Sequence, residues 1–352
     1  NQKIDLTDDI KNYKLNEKVL VNGKPNSLNS AIKELKEIFK NEKNIHFDGM
    51  ICDQKSQSSI IDLAEKLRSS INHYEHDEIN NFYSAYQRYG ASLVSFNEIK
   101  KRSDLVVLLG SFDGDTLTRF VKNTDWKKSK IDECIYSVSS LKSSINKQVI
   151  IERNLDLIPI RLLNLFGEKT SSKKFKTLQE KIMLSKYPVI VINPKDGFIF
   201  TQKIFKIAEY INSNVKKIRI FRISGSNNSS GFVNNCVVKT GFPGSVNFND
   251  WGLEYNPLKY TAQHQKDIAN SQVFISSLNS TPLIKMFNKN IFIGHPNKNE
   301  KEKFKIYIPV KTPGIDCDGL ILRSDGAGMY KLDKKIDSDY IELKQLIDEL
   351  KK

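Results

Sequence analysis

The chain has 352 residues, 39% of them apolar, and its 55 lysines and arginines against 41 acids leave a net charge of +14. That length and composition fit a soluble globular protein that buries its own core, and the longest apolar runs, LVVLLG and VIVI, fall far short of the roughly 20 residues of a membrane span. The four cysteines, Cys52, Cys134, Cys236 and Cys317, form no C-x-x-C pair, which excludes a zinc knuckle or iron–sulfur cradle of close spacing and predicts buried, reduced thiols.

The polar start NQKIDLTDD reads as no signal peptide, so a cytoplasmic protein is expected. SLNSAIKELKEIFKNEK carries Ala31, Ile32, Leu35 and Phe39 at helical spacing behind a Ser/Asn start, and NIHFDGM follows as a strand leaving into a glycine turn. SSIIDLAEKLRSSI repeats the helical period. SDLVVLLGS is nearly continuous in branched residues, which predicts a strand covered on both faces, as in a parallel sheet. SSLKSSINK and EKTSSKKFK read as Ser/Lys-rich surface loops on either side of the strand QVIIE. YPVIVINP and KKIRIFRI are further strands, with the helix QKIFKIAEYINS between them. KKIRIFRI empties into SGSNNSSGFVNNCVVKTGFPG, residues 224–244, whose glycines and interspersed Asn and Ser predict a loop that lets backbone N–H groups approach an anion. SQVFISSL and KNIFIGHP are the last strands. The alternation is that of a doubly wound α/β protein with mostly parallel sheets in two lobes. The first is expected over 1–155 with an N-terminal arm, the second over 156–352.

The positive charge is carried mainly by lysine, and lysine on solvated faces needs no partner. No stripe of arginines and aromatics of the kind that reads single strands is present, so neither nucleic acid nor membrane is expected as a partner.

Several segments together resemble the B-type subunit of formylmethanofuran dehydrogenase. GSNNSSGFVNNCVVKTGFPGSVNF followed by YNP is similar to that family's Gly/Asn-rich loop, T-G-Y/F-P turn and apolar V-x-F segment. NIFIGHP at 290–296 resembles its late strand ending in a Pro turn. IYIPVKTPGIDCDGLILRSDG at 306–326 resembles its I-P-x-x-x-x-G-I-E-x-x-G-T-x-x-R-x-D-G segment, and KIDSDYIELKQLIDELKK its C-terminal helix. With VNGKPNSLNSAIKELKEI and RSDLVVLLGS the resemblance spans nearly the whole chain. It implies the α/β core of the pterin molybdenum and tungsten oxidoreductases without their iron–sulfur domain. Redox members hold the metal through a Cys or selenocysteine after the second strand, and the matching place here, INHYEHDEINNFYSAY, contains no sulfur.

The resemblance therefore implies the degenerate relative, the B-type subunit of the formyltransferase/hydrolase complex. In that family the complex moves formyl from tetrahydromethanopterin to methanofuran or methylofuran and hydrolyses it to formate. The chemistry belongs to the amidohydrolase-like A-type subunit and the D-type formyltransferase subunit, with the C-type subunit beside them. The B-type subunit is expected to be structural and to bind no cofactor. The alternative is a catalytic tungsten or molybdenum pterin subunit. Vestigial cofactor positions carried over from the family are Asn227, Asn228, Gly231, Arg323 and Asp325. Asn227 and Asn228 equally suit their own loop's backbone, and Arg323 with Asp325 equally suits a local ion pair closing a turn.

Other residues carry two readings each. His73 and His76, beside Glu75, Asp77 and Glu78, have a spacing that suits zinc, against a solvated helix start with acids near its positive end. His46, His264 and His295 have no matching ligand nearby in sequence. Asp113, Gly114 and Asp115 in GSFDGDTLTR resemble a strand-to-loop cofactor contact or form a plain Asx turn. Lys127, Lys128 and Lys130, then Lys173, Lys174 and Lys176, and Lys298, Lys301, Lys303 and Lys305 read as basic loops. The family's coenzyme ends in a polyglutamyl tail, a polyanion that such loops would hold.

Overall fold

The computed structural model describes residues 7–125, 135–137, 149–150, 154–166, 173–280, 282, 284 and 287–352. In chain order, α1 (Thr7–Lys11) leads to the hairpin of β1 (Leu20–Val21) and β2 (Lys24–Pro25), then α2 (Leu28–Asn41), β3 (Ile45–Ile51), α3 (Gln54–Lys66) and β4 (Ser70–Ile71). A middle stretch runs through α4 (His76–Tyr89), α5 (Phe96–Arg102), β5 (Leu105–Leu109), α6 (Gly114–Thr124), β6 (Ile135–Ser137), β7 (Val149–Ile150), α7 (Ile158–Leu165), α8 (Lys173–Leu184), β8 (Pro188–Ile192), α9 (Phe198–Asn214) and β9 (Arg219–Arg222). The remainder holds α10 (Ser229–Thr240), β10 (Val246–Asn249), β11 (Gly252–Tyr255), α11 (Ala262–Gln265), β12 (Ser271–Ser276), β13 (Lys289–Gly294), β14 (Ile306–Pro309), β15 (Gly319–Leu322), β16 (Met329–Leu332) and α12 (Leu343–Lys351).

These elements form two compact units, Asn1–His76 with Gly225–Lys352, and Asp77–Ser224. The division differs from the expected boundary near residue 155. The runs on either side of that position are neighbours in one sheet, since β5 pairs in parallel with β8 from Leu105↔Pro188 to Leu109↔Ile192.

The first unit is built on a nine-stranded sheet of order β11-β10-β4-β3-β12-β13-β14-β1-β2. Its centre, β4 to β14, is parallel, and antiparallel hairpins flank it at both edges. The sequence pattern missed these hairpins. β1–β2 turns on Asn22 and Gly23, both at positive φ as a two-residue hairpin turn requires. The predicted first helix is α2, capped by the Ser27 hydroxyl, which accepts from Ser30 N, and it buries Ala31, Ile32, Leu35, Ile38 and Phe39. The four large ones, at about 1.5–3 kcal/mol each, outweigh any propensity term in holding that helix to the sheet. α3 packs against both α10 and α12.

The second unit holds a five-stranded parallel sheet of order β7-β6-β5-β8-β9. Its near-continuous apolar strands serve two faces, as their composition predicted. Leu105, Val107, Leu109, Ile190 and Ile192 meet residues of α4, α7, α8 and α9, while Val106, Leu108, Val189 and Val191 meet Ile99, Leu117 and Phe120 of α5 and α6. SSLKSSINK and residues 168–172 lie outside the described residues, and Lys173 opens α8 where a loop was expected. Cys52, Cys236 and Cys317 are buried free thiols, and Cys134 lies outside the described residues. Among the described residues no helix is long and apolar enough to cross a membrane.

Candidate functional site

In the first unit the chain leaves β3 through α3 to β4 on one side, while β12, β13 and β14 follow on the other. An open parallel sheet takes its ligands at such a reversal, outside the carboxyl ends of the two strands. Here those ends are residues 50–53 and 276–279. β3 gains one residue on β12 as it reaches this point, with Asp48 opposite Phe274 and Ile51 opposite Ser276. The extra length is absorbed by left-handed backbone at Gly49 (φ 82°) and Met50 (φ 53°), a bulge at the mouth of the crevice.

The crevice is covered by the chain's own groups. Ser277 N and Leu278 N both donate to Ile51 O, at 2.9 and 3.1 Å. The segment 225–228 then folds over the strand ends, with Gly225, Asn227 and Asn228 all left-handed at φ 98°, 54° and 55°. Asparagine tolerates that conformation better than other residues with side chains, which accounts for the NN pair. Asn228 Nδ2 donates to Cys52 O at 2.9 Å, and its Oδ1 accepts from Leu322 N at 3.0 Å. Gln57 Nε2 donates to the Asn228 carbonyl at 3.2 Å. Asn227 Nδ2 and the Ser226 hydroxyl both donate to Glu75 Oε1, at 2.8 and 2.7 Å. Asn279 Nδ2 donates to Asn227 Oδ1 at 3.2 Å.

His73 completes the network. Glu75 N donates to His73 Nδ1 at 2.9 Å, so Nδ1 accepts and Nε2 carries the proton, which it gives to Asn227 O at 3.2 Å. Burial holds the imidazole neutral, with its pKa down at about 4. The helix start expected at this place begins three residues later, at His76, the first residue of α4, and only partly matches the solvated reading, with Asp77 exposed and Glu78 buried. His73 itself is buried, its ring 5.3 Å from that of Phe232. The spacing of His73 and His76 could not foretell this, because the burial comes from Phe232 and Asn227, far along the chain.

The other candidates fall in different places. The loop expected at 224–244 is mostly α10, in which Phe232, Val233 and Cys236 are buried and which Gly241 ends in the left-handed conformation. Gly231 lies in that helix, where a Cβ would strike the Asn228 side chain, and Gln54 Nε2 donates to its carbonyl at 3.2 Å. Arg323 and Asp325 form a two-pronged pair, Nε to Oδ1 at 3.0 Å and Nη2 to Oδ2 at 2.7 Å, across the β15–β16 turn. His46 is buried with Nδ1 2.8 Å from Ser70 Oγ, His295 is buried, and His264 lies exposed in α11. In the second unit Asp113 caps α6, accepting from Thr116 N at 2.6 Å, and Gly114 is the helix's first residue.

The basic segment at 298–305 is internally neutralised. Lys301 bonds Glu17, Lys303 pairs with Glu300 at 2.8 Å and Lys305 with Glu34 at 3.5 Å. Lys298 donates to Pro282 O at 2.9 Å. Lys173 and Lys176 are exposed on α8, and Lys127, Lys128 and Lys130 lie outside the described residues. Among the described residues no group of three or more His, Cys, Asp or Glu is placed to hold a metal ion. Glu75 was read only as an acid beside the two histidines, and Gln57 and Asn279 were not singled out by sequence; Gln57 lies in the first turn of α3 and Asn279 just past the end of β12.

No protein-family model matches the chain, and no curated protein does. Among solved structures, the chain is similar to one in the formyltransferase/hydrolase complex (FhcABCD) from Methylorubrum extorquens in complex with methylofuran. The TM-score is 0.82 and the identity 14%, over 94% of this chain and 97% of that one. It is also similar to acetylene hydratase from Pelobacter acetylenicus, with a TM-score of 0.54 and 10% identity, over 98% of this chain and 62% of the hydratase. At these identities the likeness is one of fold, and the fold is the mostly parallel α/β architecture that the sequence implied.

Proposed function

We propose that this chain is the non-catalytic B-type subunit of a cytoplasmic formyltransferase/hydrolase complex, one that moves formyl from tetrahydromethanopterin to methanofuran or methylofuran and hydrolyses it to formate. Its partners in this reading are the amidohydrolase-like, C-type and formyltransferase subunits. The observation that carries the reading is the covered crevice of the first unit, where His73, Glu75 and Asn227 bond one another and Asn228 bonds the Cys52 carbonyl and Leu322 N, at the position an α/β sheet reserves for a ligand. The match over almost the full length of a chain from such a complex supports the assembly. The sequence resemblance supports the B-type position within it.

A metal-bearing pterin does not fit the residues present. Molybdenum and tungsten in such groups take soft thiolate donors, whereas this crevice presents amides, a carboxylate and an imidazole bonded at both nitrogens. Cys52 beside it is fully buried, and burial pushes its pKa well above the usual thiol value, so it stays protonated. The chain's contribution is then structural.

Co-expression of the tagged chain with its amidohydrolase-like, C-type and formyltransferase counterparts tests this. One stable assembly active in formyl transfer and hydrolysis is expected, with activity that survives Glu75→Gln. A chain that purifies alone as a stable monomer and fails to retain the other subunits contradicts the proposal.

A further inference from the structure

The second unit has its own point of reversal. β6 and β7 extend its sheet on one side of β5, and β8 and β9 on the other, so the position reserved for a ligand lies between the carboxyl ends of β5 and β8. β5 runs out into Gly110 and Ser111, and β8 into the turn 193–197. Gly110 is left-handed at φ 118°, and a Cβ on it would fall on the carboxylate of Asp196. The next N–H, that of Ser111, donates to Asp196 Oδ2 at 2.8 Å, and the Ser111 hydroxyl donates to Asp196 Oδ1. Asn193 Nδ2 donates to the Ser111 carbonyl at 2.5 Å, and Asn81 Nδ2 to Pro194 O at 2.9 Å, which fixes the turn that carries Asp196.

Glycine at a strand end lets backbone donors approach an anion closely, as α/β proteins use to hold phosphate, and Ser111 aims both its backbone N–H and its hydroxyl at one such anion. In this chain the anion is a carboxylate of the chain itself. We infer that Asp196 is a built-in anion that fills the phosphate cradle of the second unit and ties the end of β5 to the end of β8. Burial raises the Asp196 carboxyl, and the two Ser111 bonds oppose that rise by favouring the charged form. Sequence offered only a faint sign: a strand ending in Gly-Ser and another ending in N-P-K-D-G, 82 residues from Ser111 to Asn193.

The test uses the full chain, purified with its partner subunits where it needs them. Asp196→Ser removes the carboxylate and opens the cradle, and inorganic phosphate is the probe. Phosphate is expected to raise the Tm of this variant by several degrees and to leave the wild type unmoved. Adding Ser111→Ala to Asp196→Ser should weaken phosphate binding several-fold. Phosphate binding equal in wild type and variant, or a folded variant that takes no phosphate, overturns the inference. Should Asp196→Ser fail to fold, Asp196→Asn decides: it keeps the shape but sets an amide against the Ser111 donors, so its Tm should fall by several degrees, and an unchanged Tm overturns the inference.

Discussion

His73 donates from Nε2 to the carbonyl oxygen of Asn227 at 3.2 Å, joining two residues 154 positions apart. The bond requires a neutral ring protonated on Nε2, because Nδ1 already accepts from Glu75 N. A proton added to Nδ1 would break that second bond inside a buried site.

Stability should therefore fall with acid. His46, His73 and His295 are each held down to about 4 by burial, against about 6.5 for a free imidazole. Between those values the unfolded chain binds more protons than the folded one. The stabilisation is fully present above about pH 6.5 and is lost as pH falls toward 4, up to about 3 kcal/mol for each ring. Urea titrations at a series of pH values across that window check this, and His73→Gln should flatten the slope. Imidazole resonances of these three residues that titrate near 6.5 in the folded protein would refute the prediction.

Asn228 combines a left-handed backbone with two side-chain bonds to backbone groups, Cys52 O and Leu322 N. Asn228→Ala leaves both buried partners unmet and should cost roughly 2–5 kcal/mol. Asn228→Gly loses the same bonds but relieves the backbone, so it should be less damaging by about 1 kcal/mol. Chemical denaturation of the two variants gives the order directly, and a glycine variant less stable than the alanine variant would contradict this origin of the strain.

These sites show what sequence could and could not disclose. The parallel strands were legible because LVVLL and VIVI are apolar on both faces, and α2 because Ala31, Ile32, Leu35 and Phe39 keep its period. The glycines and asparagines at 224–244 read as a loop and hid α10, whose helical period is blurred by Ser and Asn. Asn227 and Asn228 entered through the family resemblance as cofactor positions, and their left-handed backbone, which few other residues accept, could not be read from the sequence. That Glu75 and Asn279 partner Asn227 could not be foreseen, because each is an ordinary polar residue whose role exists only once the strand ends meet. The discontinuous first unit was hidden as well, because no linker marks the passage at His76 and the Gly/Ser/Asn-rich stretch at Gly225 reads as a ligand loop and not as a boundary.

The segment before β1 is strapped to the first unit through Asp316, which is fully buried and accepts from Tyr13 OH at 2.8 Å, Ser338 Oγ at 2.6 Å and Thr312 N at 2.5 Å. Asp316→Ala takes the carboxylate acceptor from Tyr13 OH, Ser338 Oγ and Thr312 N and should cost more than about 3 kcal/mol. Tyr13→Phe removes one hydroxyl and should cost about 1 kcal/mol. Equal effects from the two substitutions would show that Asp316 does not organise this region.

Within the proposed assembly, the lysines differ in what they can offer a polyanionic coenzyme tail. Those at 298–305 are engaged by Glu17, Glu300, Glu34 and the Pro282 carbonyl, so changing them to Ser should lower stability and leave coenzyme retention intact. Lys173 and Lys176 are exposed on α8, and changing both to Ser should weaken retention at low salt only, since exposed charges are screened beyond about 8 Å at physiological ionic strength. Retention measured at low and high salt for both variants separates the two groups, and a reversed pattern would contradict this assignment.

The most direct measurement is elemental analysis of the purified assembly alongside its formyl-transfer rate. Full transfer and hydrolysis are expected with molybdenum and tungsten far below one atom per copy of this chain. Near-stoichiometric molybdenum or tungsten bound to this chain, lost together with activity when Asn227 and Asn228 are replaced, would contradict a structural role for it.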